Sequence, residues 1–168
     1  MKDRKFYTCC FTGHRSKNLP WGYKEKGIKF FVFKNKLKKI IKQSIKAGYI
    51  YFISGMELGI DMLCAEIILK LKKKHPNIKL ECAIPCKNQT EKWKKESIDR
   101  YNKILSLADK ITYTSNSNYY NGCMQKRNQY MIDNSNLLIA VFNGSNGGTK
   151  QTIEYAYKNK IKVFLLKV

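Results

Sequence analysis

Short apolar runs alternate along the chain with longer segments whose apolar positions recur every three or four residues. This is the pattern of repeated β-α units that build a mainly parallel sheet. Six strands are expected, at about 5–12, 49–54, 79–84, 110–113, 137–142 and 161–166. The first of five helices carries Phe33, Leu37, Ile40, Ile41 and Ile45 on one face and ends at Gly48. The second, over about 61–74, places Ile60, Cys64, Ile67, Ile68 and Leu71 at helical spacing and stops at Pro76. A third runs from Thr90 to about Leu107 with Trp93, Ile98, Tyr101, Ile104 and Leu105 inward, and a fourth covers Met124 to Asp133. The fifth is the amphipathic segment opening near Ile153. The fold class is therefore α/β, and 168 residues fit one domain, 1–168, with no linker or repeat.

Charge narrows the partners. Lys and Arg number 33 against 12 Asp and Glu, a formal charge of +21, which favours nucleotides, nucleic acid or acidic surfaces. Many lysines, such as Lys34, Lys36, Lys38, Lys39 and Lys42, fall on helical segments where solvated faces ordinarily carry charge, so charge alone locates no site. The six cysteines lie mostly within apolar patterns, and neither an apolar leader nor a long apolar span occurs. The expectation is a reduced, cytoplasmic protein without membrane association. Cys82 and Cys86 are four apart, but no C-x-x-C half-site accompanies them or His14 and His75, so no metal and no cofactor are expected.

Three strand-to-helix bends carry the candidate chemistry. Gly147-Gly148-Thr149 follows the fifth strand; glycines let backbone approach an anion, and Thr149 and Thr152 add hydroxyls. Ser54-Gly55-Met56-Glu57-Leu58-Gly59-Ile60-Asp61 follows the second strand, where Asp61 either caps the helix or accepts hydrogen bonds from a ribose. Gly13-His14-Arg15 ends the first strand and offers an imidazole beside a permanent cation, or else a surface pair with Glu57. Arg127 and Asn128 supply further donors or lie on a solvated helix face. Glu154 acts as a general base or compensates the helix dipole. Each bend alone is an ordinary turn; their convergence at one sheet edge would make a pocket.

Taken in order, these elements resemble the SLOG superfamily, which includes DNA-processing protein A and the lonely-guy phosphoribohydrolases, and within it a bacterial and phage branch. The T-G-H-R opening is matched by Thr12 to Arg15, and S-G-x-x-x-G-x-D with A-E by Ser54 to Asp61 and Ala65-Glu66. P-x-x-x-Q-x-x-x-W is matched by Pro85, Gln89 and Trp93. Arg100-Tyr101, Ala108-Asp109, Cys123 to Met131 and Gly147 to Thr149 match the rest, so the resemblance covers nearly the whole chain. It implies a Rossmann-like three-layer α/β/α sandwich that binds a nucleotide or nucleotide-derived signal for sensing or sequestration, as a phage anti-defence sponge would. The lonely-guy enzymes implicate Glu154 or Asp61 in N-glycosidic cleavage, but their P-G-G-x-G-T-x-x-E run is only partly present here. The DNA-processing relative implies single-stranded DNA binding, with Tyr119, Tyr120 and Trp21 for base stacking. Related folds pair through helices, and Phe30-Phe31-Val32-Phe33 points to a homo-oligomer.

Overall fold

The computed structural model describes residues 3–168; the first two residues of the expected domain lie outside it. Six strands, β1 (Thr8–Gly13), β2 (Tyr51–Ser54), β3 (Lys79–Ile84), β4 (Lys110–Tyr113), β5 (Leu137–Phe142) and β6 (Lys162–Lys167), alternate with five helices. These are α1 (Ile28–Lys46), α2 (Ile60–Lys72), α3 (Lys95–Leu107), α4 (Cys123–Asp133) and α5 (Gly148–Lys158). The sheet order is β4-β3-β2-β1-β5-β6, and every neighbouring pair is parallel.

Strand alternation sorts the core into two layers. Cys9, Phe11, Phe52, Leu80, Cys82, Ile139 and Val141 face α1, α2 and α3, joining Phe33, Leu37, Ile41, Ile67 and Ile104. Their neighbours Cys10, Ile53, Ala83, Leu138 and Ala140 face α4 and α5, meeting Met131, Ile132, Ile153 and Ala156. Because both faces are covered, the central strands read as continuous apolar runs. The result is the expected Rossmann-like α/β/α sandwich. All six cysteines are buried thiols within it. Glu81 is a charged residue in this interior: burial alone would push its carboxyl up, but hydroxyls of Tyr130, Tyr51 and Thr112 hold it below the usual carboxylate range.

β3, β4 and β5 fall at the predicted residues. The first strand does not reach back to Lys5, because Arg4–Tyr7 form a 3₁₀ turn. The Asp3 side chain accepts from the Lys5 amide at 3.2 Å, and the β1–β2 pairing begins only at Thr8 opposite Tyr51. α3 starts at Lys95 rather than Thr90, since residues 88–93 form turns in which the Glu91 and Trp93 amides bond to the Asn88 and Thr90 carbonyls. α1 ends as expected: Gly48 takes φ +96°, with Gly48 N–H on the Ile45 carbonyl and Tyr49 N–H on that of Ser44, the paired bonds of a Schellman motif. Phe30 and Phe33 are buried, while Phe31 and Val32 are exposed on the outer side of α1. No helix among the described residues is long and apolar enough to cross a membrane.

Candidate functional site

After β1 the chain adds β2, β3 and β4 on one side, then returns to place β5 on the other side of β1. Such a reversal opens a crevice at the carboxyl ends of the two central strands, the usual ligand edge of a doubly wound sheet. A cavity of about 220 Å³ lies there. Thr12, Gly13, His14 and Arg15 line it from the β1 end, Glu57 and Asp61 from the β2–α2 bend, and Ser145 to Thr149 from the β5–α5 bend. Met124, Arg127 and Asn128 of α4 close one side.

The first two bends are pressed together. A Cβ on Gly13 would stand 2.5 Å from the Ile60 Cβ, and one on Gly59, which has φ +100°, 2.6 Å from the His14 carbonyl oxygen. A Cβ on Gly55 would meet Arg127 Nη1 at 2.5 Å and Asp61 Oδ2 at 2.7 Å. At these three positions the absent side chain is therefore required by the packing of the bends against each other. The third bend is different: nothing lies within 4 Å of a Cβ on Gly147 or Gly148, and Gly147 has φ +146°. α5, like α2, opens without a side-chain cap, and its first residues line the crevice at the positive end of the helix dipole.

Arg127 is buried at 4% exposure. Its Nη1 donates to the Gly55 carbonyl, its Nε to Asn128 Oδ1 at 2.8 Å, and its Nη2 lies 3.8 Å from Met124 Sδ. Asp61, 5% exposed, accepts the Glu57 amide at 3.4 Å. Burial pushes its carboxyl up to about 6, with Arg127 pulling the other way and Glu57 adding to the rise. His14 stacks on Phe142 and accepts the Asn143 N–H on Nε2 at 3.1 Å. Burial holds the imidazole below its ordinary value, which keeps it a neutral acceptor that ties the first bend to the third. Arg15 donates to Glu57 at 2.9 Å, with side chains 52% and 12% exposed respectively; the expected pair is formed, and both residues line the cavity.

Of the candidates, Gly13, His14, Arg15, Asp61, Arg127, Asn128, Gly147, Gly148 and Thr149 line one cavity. The others do not. Ser54 Oγ donates to the Asp61 carbonyl and accepts the Met56 amide. Met56 is buried with φ +57° and its carbonyl accepts from Gln89, so both side chains shape the bend. Thr152 Oγ1 is taken up by the Gly148 carbonyl and Asn128 Nδ2, at 2.7 and 2.9 Å. Glu154 is exposed in a separate groove between α4 and α5, with Gln125 and Lys158. Its displacement follows from α5 beginning at Gly148, which puts Thr149, Thr152 and Ile153 on the buried face and Glu154 outside it. Trp21, expected as an exposed stacking surface, packs on Phe30 and Phe33 with ring centres 5.4 and 4.7 Å away, whereas Tyr119 and Tyr120 are exposed.

Sequence reasoning passed over Asn18, Met124, Ser145 and Asn146 as lining residues. Ser145 and Asn146 stood within the polar run preceding the glycines and carried that signal; Asn18 and Met124 carried none. Among the described residues no group of three or more His, Cys, Asp or Glu is placed to hold a metal.

A sequence profile described as the YspA SLOG family matches residues 9–166. SPbeta prophage-derived protein YoqJ of Bacillus subtilis (strain 168) is 36% identical over 137 residues, covering 74% of this chain and 80% of that protein. A UPF0398 protein of Brevibacillus brevis is 36% identical over 142 residues, with 76% and 73% covered. Among solved structures, DNA processing protein A from Helicobacter pylori, described for its single-stranded DNA binding mode, superposes with a TM-score of 0.63 at 16% identity. That alignment covers 94% of this chain and 64% of the other, and the likeness is one of fold.

Proposed function

Because this chain belongs to the YspA SLOG family, we propose that the crevice binds a nucleotide or a nucleotide-derived molecule, with a phosphate group seated at the β5–α5 bend. The observation that carries this reading is the contrast in that bend: open space above Gly147 and Gly148 at the start of α5, facing a cavity lined by Arg15, Asp61 and Asn128. Backbone amides and the α5 dipole favour an anion there. Asp61 and the Asn128 amide suit the hydroxyls and ring nitrogens of a nucleoside. A relative described as prophage-derived is compatible with sequestration of a signalling nucleotide, a role that needs binding and no turnover.

A hydrolytic role has one observation in its favour. Asp61 is a buried carboxyl beside the cavity, pushed up by burial to about 6, in the range where one group serves as acid or base. Glu154, the other catalytic candidate, stands outside the cavity. Native mass spectrometry of the purified protein, followed by calorimetry with AMP and ADP-ribose, tests binding; chromatography of the same mixtures tests turnover. One bound nucleotide per chain is expected, returned intact. Absence of a co-purified nucleotide together with no heat from either compound at about 1 mM rejects the binding reading, and release of free adenine or ribose phosphate replaces sequestration by catalysis.

A further inference from the structure

A second cavity, of about 340 Å³, adjoins the first and shares Arg15 and Glu57 with it. Leu58, Trp93 and Tyr23 are among the residues that line it. Trp93 belongs to the P-x-x-x-Q-x-x-x-W run that the pocket leaves unused: it is half-buried, held edge-on against Tyr101 with ring centres 5.6 Å apart, and one side borders this groove. Tyr23 is 67% exposed.

The two cavities differ in charge. Arg15 and Arg127 in the first are matched by Glu57 and Asp61, two cations against two carboxylates. The second sets Arg15, Lys17, Lys92 and Lys94 against Glu57 alone, four against one. The surplus positive charge near the site therefore lies in the outer groove. Arg15 stands on the boundary. Its one carboxylate partner, Glu57, is fixed from its other oxygen by the Leu58 amide at 3.0 Å, leaving the half-exposed guanidinium with donors to spare.

We propose that the groove is a second subsite and that the ligand spanning both cavities is a dinucleotide. One nucleotide unit occupies the crevice, as in the reading above on which this inference rests. The linking phosphate lies at Arg15, and the second unit sets its phosphate oxygens toward Lys17, Lys92 and Lys94 and its base against Tyr23 and Trp93. Aromatic faces accept any base, while paired lysines favour charge over a particular geometry. Together the cavities fall in the size range of small-molecule sites, roughly 300–1,000 Å³, which favours a compact ligand over a nucleic-acid strand.

Calorimetry with AMP, the linear dinucleotide pApA and an oligothymidylate, on the wild type and on a Lys92→Glu/Lys94→Glu variant, tests this. In the wild type pApA binds one per chain and more tightly than AMP. In the variant pApA weakens about ten-fold or more, while AMP stays within about two-fold; Tyr23→Ala, which leaves the charges in place, weakens pApA by about ten-fold. Binding of pApA no tighter than AMP, or equal loss of both in the charge variant, overturns the groove and leaves the crevice reading standing. Tight, charge-sensitive pApA binding without any AMP binding upholds the groove and refutes a mononucleotide pocket. Oligothymidylate binding that tightens with length, with several chains per strand, assigns the groove to nucleic acid and overturns the dinucleotide. If no probe binds, both readings fall.

Discussion

The β2–α2 and β5–α5 bends look alike on paper, each a small-residue run between a strand and a helix, yet they are built to opposite ends. In the first, Gly55 and Gly59 are hemmed in by Arg127, Asp61 and the His14 backbone, and Ser54, Gln89 and Arg127 bolt the turn from within. In the second, Gly147 and Gly148 face open space. One set of glycines makes room for protein, the other leaves room for something else. A glycine motif therefore identifies a ligand cradle only when its missing Cβ is not already claimed by a neighbour.

The comparison breaks most visibly at Gly55. Gly55→Ala pushes a methyl into Arg127 and Asp61, and a loss of about 3 kcal/mol in urea denaturation is expected; a change under about 1 kcal/mol would mean that the packed bend is loose. Asp61 gives a similar or slightly smaller effect whose size depends on pH. Its carboxyl rises from 3.8 to about 6 on folding, so folding penalises the ionised form. The penalty is absent below about 3.8, grows as pH rises through 6, and amounts to about 2–3 kcal/mol at neutral pH. Asp61→Asn removes it, so the variant should gain on the wild type between pH 4 and pH 7; parallel stability curves would refute the buried, poorly solvated carboxylate.

A smaller effect sits at His14, which links the packed bend to the open one. His14→Phe keeps the stack on Phe142 but deletes the acceptor for the Asn143 amide, costing about 1 kcal/mol. The imidazole is held below 6.5 in the folded chain, so its contribution is present above 6.5 and fades as pH falls through the folded value. The gap between wild type and variant should close toward pH 5, and a gap constant with pH would show that the acceptor bond is not what matters. The smallest change in stability is expected at Gly148→Ala, within about 0.5 kcal/mol in either direction, because no atom stands within 4 Å of the added carbon. The same substitution should weaken AMP binding clearly; unchanged affinity would remove the open bend from the binding surface.

Much of this was legible in the chain because parallel strands buried on both faces announce themselves as apolar runs: Leu137–Phe142 and Lys79–Ile84 are placed to the residue. Element starts were harder where a turn precedes the element: the Asp3 side chain takes the Lys5 amide ahead of β1, and backbone bonds from Glu91 to Asn88 and from Trp93 to Thr90 hold turns ahead of α3. The three bends were found, but their division of labour was not. Nothing local in Ser54–Asp61 tells that Arg127, more than sixty positions away in the sequence, fills the space its glycine leaves. The choice between the two roles open to Glu154 depends likewise on where α5 begins, which puts it on the exposed side of the helix.

The strand order has a consequence for how the protein comes into being. Cys9 to Gly13 lie beside Leu137 to Val141, so the two central strands that flank the crevice are joined only after a long intervening stretch of chain has been made. A nascent chain still missing β5 on the ribosome has no crevice to offer, whatever else has already folded. Closing that pairing is a non-local step, and a ligand bound across the crevice would stabilise the strand contact it bridges.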